Sequence, residues 1–303
     1  MDRTQAPAFK QVEHISLLNA KKYPLDNGIP LFFIDAGEQD LVRIEFIFDN
    51  VAWNAASPLQ AFATNALLQE GTSNYTAAQL AEKFDYYGAF LQKDYSYDQS
   101  SVVLYTLNKH LSSVLPLLRE ILTDAIFPQS EIDTFIRNQQ QKLSVSLEKN
   151  DVLARRSFNQ VLFGNTLYGH APVVEEYAQL QRSQLLEYYK KAYQPANCTL
   201  VVSGKVSETT LKSMNATFGN NWEGSAAVDK NEFSFIPGTG NTHFLERPDA
   251  LQSALRLGQI AINRTHPDFP ALQVLNTIFG GYFGSRLMAN IREDKGYTYG
   301  IGS

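Results

Sequence analysis

Cysteine is almost absent from this chain of 303 residues, in which Cys198 stands alone. A single cysteine excludes an internal disulfide framework and any CxxC zinc or redox motif. No apolar run approaches the roughly 18 residues of a membrane-spanning helix. A basic surplus is also missing: 26 Lys and Arg face 31 Asp and Glu, for a net charge of -5. That balance argues against DNA, RNA or an anionic membrane as the main partner. Histidine is sparse and scattered as His14, His110, His170, His243 and His266. No two of them lie at i,i+4, whereas a zinc site usually begins from a closely spaced pair of ligands. Gly-x-Ser-x-Gly and GxxxxGK[ST] are absent as well, which removes the common serine-hydrolase elbow and phosphate loop.

What is present is a globular composition, 44% hydrophobic and 12% aromatic, in a chain long enough for two domains. Asn27-Gly28 between apolar runs predicts a β-hairpin, because both residues tolerate positive φ. Val42, Ile44, Phe46 and Phe48 alternate with Arg43, Glu45 and Asp49, so residues 41–49 read as a half-buried strand. Ser57-Pro58 predicts a capped helix start, with Leu59, Phe62, Ala63, Ala66 and Leu67 at helical spacing and Gly71 as the stop. A second helix should run from near Thr76 to Gly88. Strands are expected at 89–93 and 101–105, and helices at 110–124, 130–147 and 152–163. A short helix near Gln179, a helix over 183–192, a strand over 199–204 and a helix over 209–218 should complete this block.

The composition changes at 223–240, which is rich in Gly, Ser, Ala and Asn and contains Pro237-Gly238. This reads as a linker between a first domain, 1–222, and a second, 241–303. Beyond it, strands are expected at 242–246 and 254–262, helices at 269–279 and 285–295, and a strand from Tyr297. This order faintly repeats the first block and is cut short. The expected fold class is therefore α+β, with mostly antiparallel sheet flanked by helices in each of two homologous domains. The second domain is expected to be incomplete in this chain. Gly280-Gly281-Tyr282-Phe283-Gly284 reads as a flexible turn, with Ser285 as the N-cap of the next helix. Arg292 then sits near a helix C-terminus, where its charge suits the dipole. Tyr297 and Tyr299 would share one face of the following strand.

These residues carry a resemblance. Leu67-Leu68-Gln69-Glu70-Gly71-Thr72, Tyr193-Gln194-Pro195-Ala196-Asn197, Val201-Val202-Ser203-Gly204 and above all Ser285-Arg286-Leu287 through Gly300 resemble the pitrilysin/insulinase-type zinc peptidases, the inverzincins. Active members carry His-x-x-Glu-His on the helix before the Gly-Thr. Counted back from Gly71-Thr72, the corresponding residues are Phe62, Asn65 and Ala66. The family's third ligand, a glutamate on a later helix, falls on or near Leu143. None of these side chains can do the family's metal chemistry, and Asn65 is too weak a base to activate water. The resemblance thus implies no metal and no cofactor in this chain.

The other half of the family's site is matched by Arg292 and Tyr299, which the resemblance casts as substrate-binding and intermediate-stabilising residues. It implies a non-zinc subunit that works with a homologous zinc-bearing peptidase subunit on a peptide substrate, the zinc belonging to that partner. The alternative it leaves open is a non-catalytic assembly homologue. Exported members often begin with a stretch similar to Asp2-Arg3-Thr4-Gln5-Ala6-Pro7, so a periplasmic location is expected over a cytoplasmic one.

Overall fold

A computed structural model describes residues 4, 11, 13–222, 224, 228–233, 238, 240 and 242–303. Most of the Asp2–Pro7 stretch and much of the expected linker, Pro237 included, lie outside the described residues. The chain forms two compact units, residues 1–255 and 256–303. The break falls later than the 223–240 stretch that reads as a linker.

The first unit is built on one six-stranded sheet of order β1-β2-β6-β3-β5-β4. Its strands are β1 (Lys21–Lys22), β2 (Leu31–Asp35), β3 (Leu41–Asp49), β4 (Phe90–Tyr95), β5 (Gln99–Leu107) and β6 (Cys198–Gly204). Pairing is antiparallel except between β2 and β6, where Leu31 aligns with Leu200. The Asn27-Gly28 turn joins β1 to β2 as expected, with Gly28 at φ +87° and its N–H donating to the Leu25 carbonyl. In β3 the alternation is literal. Val42, Ile44, Phe46 and Phe48 are buried, and the residues between them are only partly so.

Eight helices surround this sheet among the described residues of the first unit: α1 (Gln60–Leu67), α2 (Ala77–Tyr86), α3 (Leu111–Thr123), α4 (Gln129–Leu147), α5 (Asn150–Phe163), α6 (Val174–Ala178), α7 (Arg182–Ala192) and α8 (Glu208–Phe218). Thr76 caps α2 in a reciprocal box with Gln79, and Ser207 caps α8 with Thr210. The core joins sheet and helices through aromatic rings. Phe46 meets Phe218 and Phe48 meets Tyr193, each at 4.7 Å between ring centres. Arg119 of α3 donates to the carbonyls of Thr217, Asn220 and Asn221, closing the C-terminal end of α8. The fold class is α+β, as the sequence pattern implies.

The chain after residue 241, which includes the second unit, departs from expectation. It contains α9 (Phe269–Asn276), a π-helical turn at Thr277–Gly281 and a π-helical stretch at Met288–Asp294. No strand forms at 242–246, at 254–262 or after Tyr297. Alternation supplies a side-chain pattern, but a strand also needs a neighbour to take its backbone hydrogen bonds. None of the described residues supplies one there. Only Gly280 and Ser285 are buried in this unit. Ser285 does not cap through its side chain, because its Oγ is buried with no hydrogen-bond partner.

Candidate functional site

The helix that the resemblance singles out is α1. It begins at Gln60 and not at Ser57-Pro58, and Leu59 offers no side-chain cap. Ser57 Oγ is already engaged by Gln184 Nε2 of α7 at 3.0 Å. A distant side chain therefore takes the oxygen that the local pattern assigns to the helix start. At the far end Gly71 has φ +149°, and a Cβ there would come within 3.0 Å of the Pro128 ring. Glycine is required at that turn both for conformation and for space.

Each position that the resemblance assigns to metal chemistry has another occupation. The Phe62 ring lies between Tyr95 of β4, at 5.6 Å, and Phe135 of α4, at 5.8 Å. Asn65 is buried to 1% exposure. Its Nδ2 donates to the Asp94 carbonyl at 2.8 Å, and its Oδ1 accepts from the Tyr193 hydroxyl at 3.0 Å. An amide buried and bonded at both ends in this way is a core hydrogen-bonding group, and an amide is too weak a base to take a proton from water. The Ala66 carbonyl accepts from Lys93 Nζ at 2.8 Å. Leu143 of α4 is a half-buried core residue. The donor set does not fit zinc: two hydrocarbon side chains and a phenyl ring cannot coordinate it. Among the described residues, no three His, Cys, Asp or Glu side chains gather closely enough to hold a metal.

Sequence reasoning passed over Lys93. It lies on β4 with the same parity as Leu91 and Tyr95, the half-buried face of that strand. Its ammonium also faces Glu70 Oε1 at 3.5 Å, and its side chain is only 17% exposed. Burial holds its pKa below the ordinary lysine value, against the opposing pull of Glu70. Beside it, burial pushes the Tyr95 phenol up to about 12. The available signal was parity, a lysine at an inward position of an alternating strand.

A cleft next to the start of α1 is lined by Asn50, Trp53, Gln60, Tyr95, Tyr97 and Tyr188. Its Asn50 side chain is fully used. Nδ2 donates to the Ser96 and Tyr97 carbonyls, and Oδ1 accepts from Ser100 and Tyr188. Two of the histidines pack against aromatic rings. His170 Nε2 lies 3.0 Å from Glu176 and its ring packs on Trp53, while the His110 ring packs on Tyr87. Cys198 is buried, and burial pushes its thiol pKa upward, which leaves it unreactive.

Arg292 and Tyr299 belong to the second unit. Arg292 is in the π-helical stretch, its guanidinium 4.7 Å from the centre of the Phe283 ring and its Nη1 3.9 Å from Glu293 Oε1. Gly296, at φ +63°, ends the helical stretch, and its N–H donates to the Arg292 carbonyl. The chain beyond it joins no sheet, and its backbone is tied instead by the Tyr297 N–H donating to the Ile291 carbonyl and the Ser303 N–H donating to the Gly280 carbonyl. Tyr297 is 79% and Tyr299 91% exposed, so neither packs on a sheet face.

Comparison with known proteins adds to this geometry. The family described as "Peptidase M16 inactive domain" matches residues 179–303. A protein of Bacillus subtilis (strain 168) called "Uncharacterized zinc protease YmxG" is 27% identical over 242 residues, covering 77% of this chain and 56% of its own length. "Non-peptidase homolog YmxG" of Helicobacter pylori (strain ATCC 700392 / 26695) is 25% identical over 242 residues, covering 78% and 55%. This chain thus spans a little over half the length of these curated relatives. The crystal structure of a peptidase M16 inactive domain from Pseudomonas fluorescens superposes with a TM-score of 0.77 at 24% identity, over 94% of this chain and 70% of that one. That likeness shows a shared fold. No helix among the described residues is long and apolar enough to cross a membrane.

Proposed function

We propose that this chain, an inactive-type homologue of the M16 peptidases, is the non-zinc subunit of a heterodimeric metallopeptidase that degrades peptides. The observation that carries the proposal is the state of α1. The positions of the metal ligands and general base are built into the core as Phe62, Asn65 and Ala66. In contrast, Arg292 and Tyr299 keep side-chain types suited to substrate. The Arg292 guanidinium presents forked donors to peptide carbonyl oxygens. The Tyr299 phenol donates to an oxygen that becomes negative as the peptide bond is attacked. Both would act in trans, at the zinc site of a homologous partner. The peptide would be held as an added strand along an exposed sheet edge, which tolerates many sequences. In the first unit β4 is such an edge and lies against α1. A periplasmic setting is part of the same proposal, supported by the Asp2–Pro7 stretch.

The test is reconstitution of the full-length protein with a homologue that carries the intact His-x-x-Glu-His motif. Peptidase activity should require both chains and should fall with Arg292→Ala or Tyr299→Phe. Unchanged turnover in both variants removes the catalytic share. It would leave the second reading, a non-catalytic assembly homologue. One observation favours that reading: Arg292 is already stacked on Phe283 and placed beside Glu293.

A further inference from the structure

The positions that the resemblance gives to the two histidines, 62 and 66, are both covered by β4. Phe62 meets Tyr95, and the Ala66 backbone meets Lys93 two residues earlier on the strand's inward face. The i,i+4 spacing on the helix is thus matched by an i,i+2 spacing on the strand. Lys93 extends its ammonium to the carbonyl of the residue at the second histidine's place. Glu70 lies on its other side. The Ala66 carbonyl belongs to the last turn of α1, where backbone oxygens lack intrahelical partners. The ammonium therefore satisfies a helix-end acceptor and balances a carboxylate at the same time.

We infer that Lys93 is a resident cation that bars a divalent metal from this face of α1, independently of the missing ligands. A metal held between side chains at 62 and 66 would meet a fixed positive charge at short range in a mostly buried setting, where charge repulsion is weakly screened. Glu70, a native carboxylate beside this face, is already paired with that charge. Loss of metal binding is then double: the donors are gone, and a built-in cation occupies their surroundings. This inference does not depend on a heterodimer or on any role of Arg292 and Tyr299.

The experiment restores donors with and without the lysine. Positions 62 and 66 are about one helical turn apart, so F62H/A66H supplies an imidazole pair, and F62H/A66H/K93A removes the cation. Zinc binding to each purified full-length variant is measured by competition with a chromophoric chelator, and folding is checked by circular dichroism. Zinc should bind at least about tenfold more tightly to the variant lacking Lys93. If a histidine pair fails the folding check, A66H with and without K93A takes its place, using Glu70 as the second donor. In that pair zinc should raise the melting temperature only when Lys93 is absent. Equal zinc binding with and without Lys93, or no binding in either background, overturns the inference.

Discussion

The α1 face and the Arg292–Tyr299 segment are two halves of what the resemblance presents as one catalytic apparatus, and they have opposite physical characters. At α1 every assigned position is absorbed into packing: a ring between two rings, an amide with both ends bonded, a carbonyl capped by an ammonium. In the second unit Tyr299 is 91% exposed and belongs to no sheet. A group that has been converted to structure cannot be removed without cost to stability. A group retained for contact with another molecule can. The difference therefore separates side chains built into the core from side chains left exposed, and stability measurements can read it directly.

Four substitutions sharpen that contrast. The largest effect is expected for Asn65→Leu, which removes the hydrogen bond that the buried Tyr193 hydroxyl donates and the one that the Asp94 carbonyl accepts. It should cost about 3 kcal/mol in urea unfolding. A loss near zero would mean that the amide is not part of the core. Phe62→Ala removes a half-buried ring from between Tyr95 and Phe135 and should cost about 2 kcal/mol by the same measurement. Lys93→Met has a pH signature. Burial depresses the lysine pKa in the folded protein, so between that depressed value and the ordinary lysine value the unfolded chain binds more protons. Wild-type stability relative to the Met variant should therefore rise as pH climbs through that window and level off on either side of it. A difference that stays flat as pH rises to the ordinary lysine value of about 10.4 would contradict the buried-cation description. Tyr299→Phe should leave stability within about 0.5 kcal/mol while it lowers turnover of the reconstituted pair.

Much of the first unit was legible because its signals are local. The Asn27-Gly28 turn, the alternation of β3 and the helical spacing in α3 need no knowledge of distant residues. The helix starts at Gln60, three residues beyond Ser57, whose hydroxyl instead accepts from Gln184, a contact that no window of sequence contains. The strands anticipated at 242–246, 254–262 and after Tyr297 failed for a related reason, since a strand is completed only by its partner. The candidate site was legible in what it had lost, because Phe62 and Ala66 cannot coordinate a metal in any fold. What replaced the lost chemistry was not legible. Lys93 looks like an ordinary strand lysine until its ammonium is seen on the Ala66 carbonyl.

The most direct measurement is peptidase turnover of the pair formed with the zinc-bearing homologue, comparing wild type with Arg292→Ala at matched heterodimer concentration. Lending of the guanidinium to the partner's site predicts a fall of about a hundredfold with assembly intact. Full turnover by an assembled Arg292→Ala pair would contradict it.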